Sequence, residues 1–289
     1  MRKNMTPFYL MVIPAFLLFF FFHTLPMLMG VFYSFTNWNG LSPSYKMVGF
    51  KNFLNVFQDP QVYSAYGFTF KFAILTTVIV NIISLAVAVG LNSRIKLKNT
   101  LRAVYFLPNI LSMLIIGFIF NYFFSNILPD VMSKAGMSGL AFNILGSENT
   151  AWIGIVIVTV WQATAFNIIL YLAGLQTIPA DLYEASSLDG ASKWKEFWHI
   201  TFPMIAPFFT INMVLALKNF LMVFDQIVAM TGGGPAKSTT SISYLIFTDG
   251  FQGGSFSYQS ANSVIYFIVI VVISMIQLKI LQKREMSLS

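Results

Sequence analysis

Six stretches of the sequence are apolar for about twenty residues or more, the length a helix needs to cross a hydrocarbon layer about 30 Å thick. They run over about 8–35, 68–91, 103–125, 151–175, 208–230 and 261–281. The first is interrupted by Pro14 and Pro26 and is expected to kink; the third carries Pro108 near its start. In hydrocarbon every backbone N–H and C=O must be paired inside the protein, so runs of this length fold as helices. The expected fold class is all-α, a polytopic membrane protein of about six transmembrane helices. Composition agrees: 9% of the 289 residues are charged, against about 25% in ordinary soluble domains. Hydrophobic residues make up 57%, including 31 Phe, a side chain that carries no donor into lipid.

The basic residues set an orientation. Arg2 and Lys3 precede the first span; Arg94, Lys96, Lys98 and Arg102 follow the second. Lys193 and Lys195 follow the fourth, and Lys279, Lys283 and Arg284 close the sixth. Eleven of the 17 Lys and Arg thus fall on one side, which the positive-inside rule makes cytoplasmic, so the expectation is N-in and C-in. The same rule absorbs the net charge of +7, leaving no reason to invoke nucleic acid. The N-terminal apolar run exceeds the roughly 7–15 residues of a signal-peptide core, so it is expected to be retained as a signal anchor. There are no cysteines and two His, His23 and His199, which argues against disulfides, a catalytic thiol or a histidine metal centre.

Residues 176–207, between the fourth and fifth runs, are too polar for a span and too long for a turn. Pro179 suits a helix N-terminus, Asp181 and Glu184 fall in the first turns, and Leu182, Ala185 and Leu188 recur at three-residue spacing. Gly190 suits a helix end that needs positive φ. A second helix is expected from near Ser192, with Trp194, Phe197 and Trp198 on one face, ending before Pro203. The result is a helix–glycine–helix hairpin. Its aromatics beside Lys193 and Lys195 would serve as a headgroup anchor, whereas its acids suit a protein partner better; physics alone leaves both open.

The residues Glu184-Ala185-Ser186, Asp189-Gly190-Ala191 and, after nine intervening residues from Gly190, Ile200-x-Phe202-Pro203 resemble the EAA loop of ABC-importer permease subunits. Ser186 stands where that pattern has its third Ala, and Phe202 where it has Leu. Phe224-Asp225, Thr231-Gly232-Gly233-Gly234-Pro235 and Thr239-Thr240 are similar to the carbohydrate-uptake branch of the maltose, multiple-sugar and glycerol-phosphate kind. So are Trp38-Asn39-Gly40 and Val48-Gly49-Phe50-x-Asn52-Phe53 in the first outer loop. The resemblance implies a type I ABC-importer transmembrane fold: a first helix and outer loop over 1–66, a core over 67–282 holding the coupling loop 176–207, and a cytoplasmic tail at 283–289. It implies a multi-pass subunit of the bacterial cytoplasmic membrane, working with a second homologous permease as a heterodimer, two ATPase subunits, and an extracytoplasmic sugar-binding protein. In this reading Glu184, Ala185, Asp189, Gly190, Ala191, Ile200 and Pro203 couple the subunit to the ATPases.

The sequence has no Gly-x-x-x-x-Gly-Lys-Ser/Thr, so this chain is expected to be non-catalytic and to bind no cofactor, with ATP and Mg on the ATPase. Polar side chains inside spans are expensive and mark the substrate path by default. The candidates are Asn121, Tyr122, Trp161, Gln162, Asn167, Asn219 and Asp225, with Asn109, Asn212, Lys218 and Gln226 in the same class. Amides and carboxylates suit sugar hydroxyls, and Tyr122 and Trp161 offer ring faces. Each amide has an alternative role as interhelical glue, and Lys218 and Asp225 have that of pairing with each other. The expected cargo is a sugar, with an oligosaccharide favoured and its identity open. An ion-coupled secondary transporter is the alternative; it would call for internal repeats and acids at mid-membrane, where Asp225 stands alone.

Overall fold

A computed structural model describes residues 6–93 and 96–288. Arg2, Lys3 and Arg94, part of the charge pattern, lie outside the described residues, as does the side chain of Arg284. Among the described residues the chain is helical with no strand, apart from one isolated antiparallel bridge between Thr36 and Met47. Among the described residues five helices are long and apolar enough to cross a membrane, or six if one bent pair is counted as a single span.

The chain divides into two compact units, one comprising the residues up to Tyr63 with Leu245–Ile268, the other Ser64–Tyr244 with the residues from Val269. In the first, α1 (Thr6–Phe19) passes through a π-turn at Phe20–Thr24 into α2 (Leu25–Tyr33). Pro26 cannot donate to the carbonyl four residues back, and the wider turn before it absorbs that loss. Nothing is buried in the apolar window of this helix, and most of its described Leu, Met and Phe side chains are exposed. The outer segment is knit tightly. Asn52 donates to the carbonyls of Ser34 and Thr36, and Thr36 bonds Ser257 at 2.8 Å between hydroxyls. Trp38 stacks on Tyr33 at 4.3 Å, and Tyr258 donates to Asp59 at 2.8 Å. The short α3 (Lys51–Val56) follows the loop, and α4 (Pro60–Asn92) starts earlier than the apolar run suggests because Asp59 caps its first turn through the Gln61 N–H.

The second unit holds the packed core. After α4 come α5 (Lys98–Ile110), α6 (Met113–Tyr122), α7 (Leu128–Lys134) and α8 (Ala151–Leu175). The third run is therefore not one helix over 103–125. Leu111 and Ser112 are extended, so the chain breaks there, and the length that qualifies as a span is Met113–Lys134. Pro108 buried in the last turn of α5 weakens that end. The fourth run is α8 to the residue. Beyond it lie α9 (Ala180–Leu188), α10 (Lys193–Glu196), α11 (Phe202–Met204), α12 (Ala206–Leu221), α13 (Asp225–Met230), α14 (Ile242–Phe247) and α15 (Phe256–Leu288). The fifth run too is broken, at Met222–Phe224 between α12 and α13. Ser241 Oγ donates to the Val223 carbonyl at 2.7 Å, pairing a group the break frees.

Polar contacts tie α4 to α8: Tyr171 donates to Asn81 at 2.6 Å, and Ser84 donates to the Thr164 carbonyl. Lys71, which no acid partners among the described residues, lies with its Nζ 4.2 Å from the Trp152 ring centroid. Where α6 meets α13, a Cβ at Gly117 would overlap Ala229, and Asn121 donates to the Met230 carbonyl at 2.6 Å. Substituting Gly117→Leu should force these two helices apart at a cost of about 1–3 kcal/mol, the usual penalty for overpacking. Thermal unfolding in detergent is expected to show a lower midpoint, and an unchanged midpoint would mean that α6 and α13 do not pack this closely.

Candidate functional site

Two places concentrate the residues singled out by the sequence: the hairpin between α8 and α12, and a polar cavity inside the second unit.

The hairpin is built as its residues demand. Pro179 stands as the N-cap of α9, and Asp181 occupies the first turn. The helix ends in a Schellman motif: Ala191 N–H donates to the Ser186 carbonyl and Gly190 N–H to Ser187, with Gly190 at φ +71°. Ser192 then caps α10, accepting from the Lys195 N–H. The second arm does not end before Pro203, as the proline alone suggests. A π-turn at Phe197–Thr201 leads into Phe202–Met204, Pro203 is accommodated in its first turn, and the chain then bends by 70° into α12.

This hairpin has two faces. Leu182, Glu184, Ala185, Leu188, Asp189 and Gly190 are exposed, Leu188 to 90%. The apolar repeat at 182, 185 and 188 thus points away from the protein, where a lone core helix would have buried it. On the other face Tyr183 bonds Thr201 at 3.1 Å, stitching the arms together. Tyr183 and Ile200 pack on a buried cluster containing Ala88, Leu91, Tyr171, Leu175 and Ile205. Ala191 and Pro203 are half-buried. Trp194, Phe197, Trp198 and Phe202 form one run of ring contacts, with Trp194 and Trp198 still largely open. Glu196, buried, is held by the exposed Lys193 at 2.8 Å. That pair went unnoticed in the sequence, although its i,i+3 spacing was the available signal.

The cavity has a volume of about 230 Å³ and lies among α5, α8, α12 and α13. Of the seven substrate-path candidates, Gln162, Asn167 and Asn219 line it, joined by Asn109, Gln226 and Thr159. Thr159 carried no sequence signal. Asn121, Tyr122, Trp161 and Asp225 do not line it. Asn121 is spent on the Met230 carbonyl, Trp161 packs on Phe120 at 5.5 Å, and Tyr122 and Asp225 are exposed. Lys218 and Asp225 are not paired; among the described residues the ion pairs are Lys134–Asp130 and Lys193–Glu196. Gln162 has a structural task as well, donating to the Leu111 carbonyl at 3.1 Å and to Pro108 at 3.4 Å, where the break strands acceptors. Asn167 donates to Ala163, and Asn212, fully buried, donates to the Asn167 carbonyl. Every ligand-capable group in the lining is a carboxamide or a hydroxyl, and none is ionisable.

Comparison with known proteins gives a consistent result. Residues 80–286 match the family described as binding-protein-dependent transport system inner membrane component. A probable starch degradation products transport system permease protein of Thermoanaerobacterium thermosulfurigenes is 36% identical, covering 99% of this chain and 97% of that protein. A multiple sugar-binding transport system permease protein of Streptococcus mutans is 38% identical, covering 95% and 94%. The fold matches a chain of a bacterial ABC transporter involved in the import of the acidic polysaccharide alginate, with a TM-score of 0.85, 23% identity and coverage of 97% and 96%.

Substituting Gln162→Leu should leave two carbonyls at the α5–α6 break without their donor, at about 1–3 kcal/mol. A lowered melting midpoint is the expected outcome, and it should be larger than that of Asn219→Leu, whose side chain makes no such backbone contact. Equal midpoints would remove Gln162 from the break.

Proposed function

Because this chain belongs to the family of inner-membrane components of binding-protein-dependent transport systems, we propose that it is a permease subunit of an ATP-driven importer that carries a neutral oligosaccharide by alternating access. The observation that carries the cargo class is the uncharged lining of the cavity. Asn109, Gln162, Asn167, Asn219 and Gln226 offer paired donors and acceptors suited to sugar hydroxyls, and no fixed charge to meet a phosphate or a uronate. Relatives named for starch degradation products and for multiple sugars favour that class over glycerol phosphate, for which more distant relatives are named. Family membership also removes the ground for an ion-coupled mechanism, whose only acidic candidate, Asp225, lies outside the cavity lining.

The working assembly is this permease with a second, homologous one, two ATPase subunits that bind ATP and Mg, and an extracytoplasmic binding protein. It sits in the bacterial cytoplasmic membrane with both termini inside. The exposed face of the hairpin, with Leu182, Leu188 and the acids Glu184 and Asp189, docks on an ATPase. Its inner face, through Tyr183, Thr201 and Ile200, bears on the cluster at the ends of α4 and α8. Closure of the ATPases on nucleotide moves the hairpin as a rigid piece, and the spans rock with it. This chain supplies geometry and leaves hydrolysis to its partner.

Two measurements test this. In vesicles holding the whole assembly and its binding protein, Glu184→Lys should leave insertion intact and lower uptake about tenfold or more, the equivalent of about 1.4 kcal/mol of lost docking. Basal ATP hydrolysis should then cease to respond to the loaded binding protein, and normal uptake by this variant would exclude the hairpin as the coupling element. For the cargo, uptake of a neutral maltooligosaccharide should exceed that of glycerol phosphate or an acidic oligosaccharide. Preference for either anion would overturn the neutral-sugar reading.

A further inference from the structure

A second cavity of about 410 Å³ lies between α5 and α8 and shares no lining residue with the amide-lined one. Its two ends differ in character. At one end are Arg102, in the second turn of α5, and Gln176, the residue that closes α8. From there Ala165, Ile168, Ile169, Leu172 and Ala173 line it along a single α8 face, with Phe106 opposite. The α8 residues from 165 to 176 extend about 16 Å at 1.5 Å per residue, so the apolar wall reaches well into the hydrocarbon.

Arg102 is the anomaly. Its Nε and Nη2 are shut off from solvent, and no acceptor reaches them among the described residues. A guanidinium cannot shed its charge, so it needs an anion or several acceptors where it is buried. No Asp or Glu lines this cavity, and the neighbouring Lys98 is already turned back onto the Asn92 carbonyl. Among the described residues no acceptor serves these donors, and the cavity that Arg102 lines is the open volume beside them.

We propose that this cavity is a site for an anionic phospholipid of the inner leaflet, with its phosphate on Arg102 and Gln176 and one acyl chain along α8. The positive charge at the membrane surface and the apolar groove beneath it match the two halves of a lipid. A free phosphate would satisfy Arg102 but leave the exposed apolar faces of Tyr105 and Ile169 uncovered. The inference rests on the orientation proposed above and is independent of the cargo.

The test uses the assembled transporter, extracted in mild detergent and analysed by native mass spectrometry with lipid extraction. Wild type should retain one more phosphatidylglycerol per copy of this chain than Arg102→Gln. It should also retain one more than Ala173→Phe, which fills the groove but keeps the arginine. Lys134→Gln, which removes a charge from the distant α7, should match wild type. In phosphatidylcholine vesicles, added phosphatidylglycerol should raise the melting midpoint of wild type and not of either cavity variant. Equal lipid counts across wild type and both cavity variants would overturn the proposal. So would an equal rise produced by inorganic phosphate alone, which would assign Arg102 to a free anion, or a cross-link from Ala173→Cys to the partner permease, which would mean that protein fills the groove.

Discussion

Hydrocarbon offers no hydrogen-bond partner, and that constraint shapes this molecule wherever its helices are interrupted. The chain breaks at Leu111–Ser112 and again at Met222–Phe224, and each break strands carbonyls inside a packed bundle. Gln162 reaches from α8 to the first, and Ser241 to the second. At Pro26 and Pro203 a different device serves: a π-turn widens the helix just before the ring. These repairs let a substrate path and a bent span exist at membrane depth. Without them only straight helices would be stable there, and straight helices leave little room for a polar cavity.

The same constraint explains which polar residues are free for cargo. Asn121, Gln162 and Asn212 donate to carbonyls outside their own helices, whereas Asn167 donates to Ala163 within α8, so most of these amides tie segments together before they do anything else. Asn109, Asn219 and Gln226 sit in the cavity wall with no such bond among the described residues, so the sugar-binding role proposed above falls first to them. The hairpin divides its labour in another way. Its apolar stripe at Leu182, Ala185 and Leu188 stays exposed, while Tyr183 and Ile200 join the core.

Much of this was legible in the sequence. The class followed from run length and low charge, the fourth span was read to the residue, and the Gly190 turn with its flanking helices followed from capping chemistry. What was not legible came from tertiary packing. Pro108 warned of a break in the third run but could not locate it at Leu111–Ser112, because the break is held open by Gln162 from another helix. Pro203 looked like a terminator, yet a π-turn carries the helix past it. Asp225 and Lys218 have spacing compatible with pairing but do not pair, since a break intervenes between them. The unpaired N–H donors of Arg102 show only in three dimensions.

The two-faced hairpin has an evolutionary consequence. The outward residues Leu182, Glu184, Leu188 and Asp189, to which docking is assigned above as a proposal, are not among those packed on the core that Tyr183 and Ile200 join. Recognition is thereby separable from anchoring, so the outer surface can drift or be exchanged without disturbing the membrane bundle. A genome could then keep many permeases, each with its own cargo path, and serve them with one shared motor by preserving a handful of side chains on a single short helix.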